Sequence, residues 1–411
     1  MNRKHRIFVI GFTLFVFCAF MVTTSIGSYN DSINLLRSIP LKYGVDSVQI
    51  SGDGNYIASN GAVCDGDNIY LFTSNSSVPL WTYSAPGSVK IISISDGGKY
   101  IVAANTGRLV GGEVQNSHYV GGGKIQDALF LLFSKENNTP LWIYELPPNV
   151  VGSLLISTNG EYIVASSSDG RLYMFNTPNS TPLWTAELGR VETLSISETG
   201  EYIAVGGDDI YLFSKGSNLP IWSAGLRRWI SDVAISGDGS TLVVGAGKKI
   251  YCFSIPDGEL LWEYEIGGKI KSYIDELLWK SLRILNYVSV ERISLSSTGD
   301  RILVLAGGDT SFGKRGVALI FDKSNNKPIW SFQTNDYIIC GDISRNGKLA
   351  AFGGSNRVYF SNGITDKPIY VFNASGTTCC HTAHNSISVS ADGSYIAVGT
   401  CGENPMLYIF E

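Results

Sequence analysis

Apolar and polar positions alternate along most of this chain in short runs, each ending at a polar or glycine-bearing turn. The stretch from Val191 to Trp222 shows the unit plainly. Val191–Ser197 (VETLSIS) alternates and ends at Glu198-Thr199-Gly200; Tyr202–Gly206 (YIAVG) follows, then Ile210–Phe213 (IYLF), and Pro220-Ile221-Trp222 opens a fourth stretch. β-Branched and aromatic residues between such turns predict strands, not helices. The unit recurs down the chain. Ser-x-x-Gly turns start at Ser51, Ser95, Ser157, Ser197, Ser236, Ser296, Ser344 and Ser390. In six units the aromatic residue closing the third strand is followed nine positions later by tryptophan: Phe72/Trp81, Phe133/Trp142, Phe175/Trp184, Phe213/Trp222, Phe253/Trp262 and Phe321/Trp330. Tyr370 takes the tryptophan's place in the seventh unit.

Repeats of about 40 residues with four strands each predict an all-β propeller of four-stranded antiparallel blades, eight by count of turns, with seven the alternative. The strands are named a to d from the axis outward. Each blade buries its faces against its neighbours, so residues 29–411 read as one domain. The repeating tryptophan is a large apolar residue suited to packing between blades. The eighth unit ends at its c strand, Leu407–Phe410, and needs a d strand from elsewhere. Leu35-Leu36-Arg37 stands at the usual distance before Gly54, whereas Pro40-Leu41-Lys42 resembles the Pro-Leu-Trp motif but stands closer. The first register is preferred, with a strand within residues 33–41 closing the ring and removing open sheet edges.

The repeat resembles two related groups over residues 45–411, the WD-repeat propellers and the quinoprotein-alcohol-dehydrogenase-like propellers with PQQ-like repeats. The second group carries A-x-D-x-x-T-G-x-x-x-W. The fifth unit matches its length, with Cys252-Phe253-Ser254 leading to Gly258 and Trp262, although Ser254 and Asp257 hold the Asp and Thr positions. The Trp-Asp dipeptide of the first group is absent. The blade number also resembles that of the propeller scaffold of bacterial outer-membrane assembly, which implies a binding module without a cofactor. Adjacent Cys379 and Cys380 resemble the vicinal disulfide over the quinone of quinoprotein dehydrogenases. That likeness implies a calcium-binding set and a catalytic aspartate, neither of which maps onto residues of this chain.

Composition narrows the setting. A net charge near −5 offers no basic field for nucleic acid. The positive flank Asn2-Arg3-Lys4-His5-Arg6 precedes the apolar run Ile7–Val22. Residues 1–28 therefore read as a hydrophobic helix, a signal anchor or a signal peptide, leaving the N-terminus in the cytoplasm and the propeller outside. Cleavage near Gly27 would make the chain secreted.

Candidate chemistry follows from where the spacing stretches. The a–b and c–d turns keep their lengths, whereas insertions fall in b–c and d–a connections, about 106–127 and 267–290, with a lesser extension at 309–315. In a four-stranded meander these connections emerge on one face, the expected recognition surface. Its candidates are Asp46, Lys90, Glu192 and Glu291 at the inner-strand entrances, with Arg227, Arg228 and Trp229, and Trp279 on a helically spaced stretch of the second insertion. Cys64, Cys340, Cys379, Cys380 and Cys401 fall in one sector, which predicts disulfides outside the cytoplasm, Cys64–Cys401 and Cys340 with Cys379 or Cys380. Cys379, Cys380, His381 and His384 are also weak metal-ligand candidates. No P-loop, HExxH or G-x-S-x-G motif is present, so no catalytic residue is assigned. The expected function is a monomeric, non-enzymatic propeller that binds a protein or cell-surface polymer, touches the membrane only through its N-terminal segment and needs no cofactor. The alternative is a quinone- or metal-dependent oxidoreductase using the Cys379/Cys380 sector.

Overall fold

The alternating runs resolve into eight four-stranded antiparallel sheets, each a meander. A computed structural model describes residues 33–61, 68–105, 109–110, 113–115, 118–120, 124–125, 128–146, 151–167, 169–267, 288–310, 313–376 and 386–411. Blade 4 runs Val191–Ile196, Tyr202–Gly207, Ile210–Ser214 and Trp222–Ala224. The last blade comprises Ile387–Val389, Ile396–Gly399 and Met406–Phe410, with Leu35–Pro40 as its outer strand. Arg37 pairs with Ile409 as Trp81 pairs with Leu71, so Arg37 occupies the tryptophan position, as the spacing to Gly54 predicts.

The nine-residue interval joins residues of one blade, but the contact that it serves lies between blades. Trp81 packs on Phe133 of the next blade at 5.4 Å, Trp142 on Phe175 at 5.6 Å, Trp184 on Phe213 at 5.7 Å and Trp262 on Phe321 at 5.5 Å. The same indoles donate hydrogen bonds to backbone carbonyls of that next blade: Trp81 to Lys135, Trp142 to Thr177, Trp184 to Lys215 and Trp262 to Lys323, at 2.8–3.1 Å. Arg37 does likewise, donating from Nη2 to the Asn75 carbonyl at 2.6 Å. Each of these four tryptophan junctions thus gains about 0.5–1.5 kcal/mol of ring contact beyond area burial, and about 1 kcal/mol from the hydrogen bond. Blade 7 departs from the rule. Its register puts Ser361, not an aromatic residue, opposite Ala350, and Trp330 packs instead on Phe352 at 6.0 Å.

The serine turns link the blades at the same end of the sheets, nearer the axis. The serine hydroxyl accepts the amide N–H five residues on, as Ser51 does from Tyr56 (3.0 Å) and Ser236 from Thr241 (3.0 Å). It donates to the Asp or Asn two residues on, at 2.6 Å for Asp238 and 2.7 Å for Asn159. Gly54 and Gly239 close their turns with φ of 71° and 70°, a region that only glycine enters at no cost. Successive turns then bond backbone to backbone, from Asp53 N to Asp96 O, Asp96 N to Thr158 O and onward, until Ala391 N returns to Gly52 O at 2.9 Å.

Two connections differ from the loops that the sequence suggests. Within 106–127, Leu109–Val110 pairs with Lys124–Ile125 and Glu113–Gln115 with His118–Val120, two short two-stranded ribbons. The 309–315 extension is strand as well, because the hairpin Ile302–Thr310/Gly313–Phe321 continues to the pair Thr310↔Gly313. Residues 1–28 and most of the insertion 267–290, Trp279 included, lie outside the described residues. Among the described residues no helix is long and apolar enough to cross a membrane.

Two outcomes follow. The Trp222 indole N–H has no partner in its buried position, unlike that of Trp184. Trp184→Phe should cost about 1 kcal/mol more than Trp222→Phe in urea unfolding, and equal costs would contradict the assigned role. The second concerns acid. Burial opposes ionisation of Asp238, but the Ser236 hydroxyl and the Ser240 amide outweigh it and hold its pKa below 3.8; Asp53 and Asp392 behave alike. A depressed carboxylate stabilises the fold above its unfolded pKa and loses that contribution as pH falls through its folded value. Thermal midpoints should therefore drop at pH below 3.8, and Asp238→Asn, which keeps the acceptor found in Asn159, should shrink that drop.

Candidate functional site

The inner strand of every blade is a sheet edge, and its outward N–H groups lack a strand partner. Buried amides left so would each cost about 1–3 kcal/mol. Side chains of the preceding blade satisfy them. Ser388 accepts from Ile50 N (3.2 Å), Ser93 from Ile156 N (3.4 Å), Ser195 from Ile235 N (2.9 Å) and Ser294 from Ile343 N (3.3 Å). Asp342 accepts from Val389 N at 3.0 Å, and Asp232 from Ile293 N at 2.7 Å. Ser47 holds Ile92 N at 3.4 Å. The exception among the described residues is the junction of blades 3 and 4, where Leu155 stands at the serine position.

These clipped strands enclose a central cavity of about 960 Å³ that all eight blades line. Toward the serine turns it is ringed by one aliphatic residue per blade, from Ile50 round to Val389. Above that ring come the hydroxyls and carboxylates of the clips. At the loop face the wall becomes charged and aromatic: Asp46, Lys90, Glu192, Glu291 and Trp229 all line it.

Pairing decides which of these groups is free to meet a ligand. Asp46, expected at an inner-strand entrance, is buried to 2% exposure and takes Lys90 as its counter-ion at 3.0 Å. Its carboxylate is consumed in holding blade 1 to blade 2. Glu192 is paired with Arg190, whose guanidinium also lies 3.8 Å from the Trp229 ring centroid. Glu291 accepts from Ser289 Oγ at 2.8 Å. Trp229 stays 52% exposed. Arg227 and Arg228 are exposed beside it but do not line the cavity. Arg227 has φ of 51°, the one positive value at a non-glycine among the described residues, a strained conformation of the kind kept at functional loops.

The cysteines divide by burial and bonding. Cys252 is free, and burial pushes its thiol up to about 12, which leaves it unreactive. Cys340 and Cys401 are disulfide-bonded. Cys64, Cys379, Cys380, His381 and His384 lie outside the described residues. Sequence reasoning missed Asp232 and Asp342, the two carboxylates that clip blades 5 to 6 and 7 to 8. Their signal was available: each replaces a small or apolar residue on an inner strand, one at the serine-clip position and one two residues before it.

Residues 209–367 match the family model described as outer membrane protein assembly factor BamB, less than half of the chain. The crystal structure of BamB from Moraxella catarrhalis superposes with a TM-score of 0.62 over 92% of this chain and 100% of that one, at 12% identity. The chain is an eight-bladed β-propeller, and residues 209–367 of it are similar to that family. No curated protein matches this propeller in sequence. Identity this low carries the fold alone, so what this propeller binds must be argued from its own mouth.

The clips give a stability prediction. Asp232 is 4% exposed and also accepts from Thr193 Oγ1 at 2.8 Å. Asp232→Ala orphans that hydroxyl and the Ile293 amide, for a loss of about 2–4 kcal/mol by denaturant unfolding. Asp232→Asn keeps an acceptor and should cost clearly less; equal losses would remove the clip from the account.

Proposed function

We propose that the chain is a non-enzymatic protein-binding scaffold, exported and held at a membrane by residues 1–28, that works as a monomeric propeller through its loop face. The observation that carries the reading is the contrast between the two mouths. One is a circuit of near-identical serine turns, while the other gathers Trp229, half exposed, with Arg190, Arg227 and Arg228 around it. Tryptophan and arginine dominate binding energy at protein interfaces. The family model matched by residues 209–367 is named for outer-membrane protein assembly, which supports a protein partner over a small substrate. Bonded Cys340 and Cys401 support an oxidising compartment, and the pairings Cys64–Cys401 and Cys340 with Cys379 or Cys380 belong to the same reading. So does closure of the ring by Leu35–Pro40 on Met406–Phe410.

The test is capture of partner proteins from detergent-solubilised membranes of the source organism by the full chain. Trp229→Ala and Arg228→Glu should weaken capture by on the order of tenfold or more, about 1.4 kcal/mol. Lys327→Glu, in an exposed turn of the opposite face, should leave it unchanged. A partner lost through Lys327→Glu and retained by Trp229→Ala would place binding on the wrong face.

A further inference from the structure

We infer that Arg345 plugs the central channel at the serine-turn face, so that the cavity is a blind pocket entered only from the loop face. The residues after the turn serines are, in blade order, Gly52, Asp96, Thr158, Glu198, Gly237, Ser297, Arg345 and Ala391, and five of them line the cavity. Three are long and charged, and they meet. Arg345 of blade 7 places Nη2 2.9 Å from Asp96 Oδ1 of blade 2 and Nε 3.9 Å from Glu198 Oε1 of blade 4. Ser297 of blade 6 donates to the same Glu198 oxygen at 2.6 Å. Blades 2 and 4 each stand three places from blade 7, on opposite sides. A side chain that reaches both lies across the channel and not along its wall.

The small residues of the set make room for the long ones. A Cβ at Gly52 would collide with the Asp96 carboxylate, and one at Gly237 with that of Glu198. Arg345, Glu198, Thr158, Gly237 and Ser297 all face the cavity, as its floor. The guanidinium has the geometry for this task. Its planar fork can hold two carboxylates in different directions, which a lysine ammonium on a flexible stem does less rigidly. The inference is independent of what the loop face binds.

Cross-linking reads the passage directly. Leu155→Cys puts a thiol midway along the channel wall, where Leu155 makes no clip. Gly97→Cys puts a second thiol on the open turn face, where a side chain meets nothing, and Glu192→Cys puts one at the loop-face mouth instead. Cys252 stays silent, because its thiol is buried and pushed up to about 12. With a short bis-maleimide and peptide mass spectrometry, the 155–192 link should form with Arg345 present and the 155–97 link should not. Arg345→Ala should let the 155–97 link form while the 155–192 link, which reports the folded channel, persists. Glu198→Ala removes one anchor and should give the same gain more weakly, should Arg345→Ala fail to fold. A 155–97 link that forms equally well with Arg345 in place overturns the plug, as does its absence from folded Arg345→Ala protein.

Discussion

A ring of sheets has an edge problem at its centre. Every blade ends inward on a strand with no neighbour to take its N–H groups, in a place too confined for all of them to be left to water. This chain answers by lending side-chain oxygens from one blade to the next: Ser93, Ser195, Ser294 and Ser388 at one position, with Asp342 in the same role and Asp232 two residues earlier. The same acceptors fix blade spacing, and blade spacing sets the width of the cavity. The turn-to-turn backbone circuit repeats the lesson at one mouth, and the tryptophan contacts repeat it at the rim. Inner edge, turn and rim each join a blade to its successor, so the ring is fixed at three radii.

With the spacing fixed at three radii, variation is confined to what the ring does not need. The loop face carries the ribbons between Leu109 and Ile125, the extended hairpin at Thr310–Gly313 and the strained Arg227. Asp46 and Lys90 lie at this mouth but serve the ring, because their ion pair ties two blades. Trp229 and the arginines beside it serve no such purpose in the described structure, and that asymmetry is what marks them for recognition.

Much of the fold was legible because it is periodic. The Ser-x-x-Gly turns counted the blades, and extrapolating the interval before Gly54 placed Arg37 in a tryptophan position that its residue type alone would not suggest. Its guanidinium then proved to donate across the blade junction as the indoles do. The periodic view failed where one residue acts out of register. Ser361 in the aromatic slot of blade 7 turns Trp330 toward Phe352, and nothing in the local sequence announces it. Arg345 was equally hidden, because its partners Asp96 and Glu198 are distant in sequence and three blades away in space. Asp46 was placed at its inner-strand entrance by the sequence, but its burial depends on the neighbouring blade, which the local pattern does not report.

Amide hydrogen exchange tests most directly whether the inner edges are held as described. The N–H groups of Ile50, Ile235, Ile293, Ile343 and Val389 point away from their own sheets yet are bonded to the neighbouring blade. The account predicts protection comparable to that of amides paired inside the blades, such as Ala204 and Val243. Exchange of these amides as fast as that of the exposed outer strands would contradict it, because the ring would then be held by its rim and not by its centre.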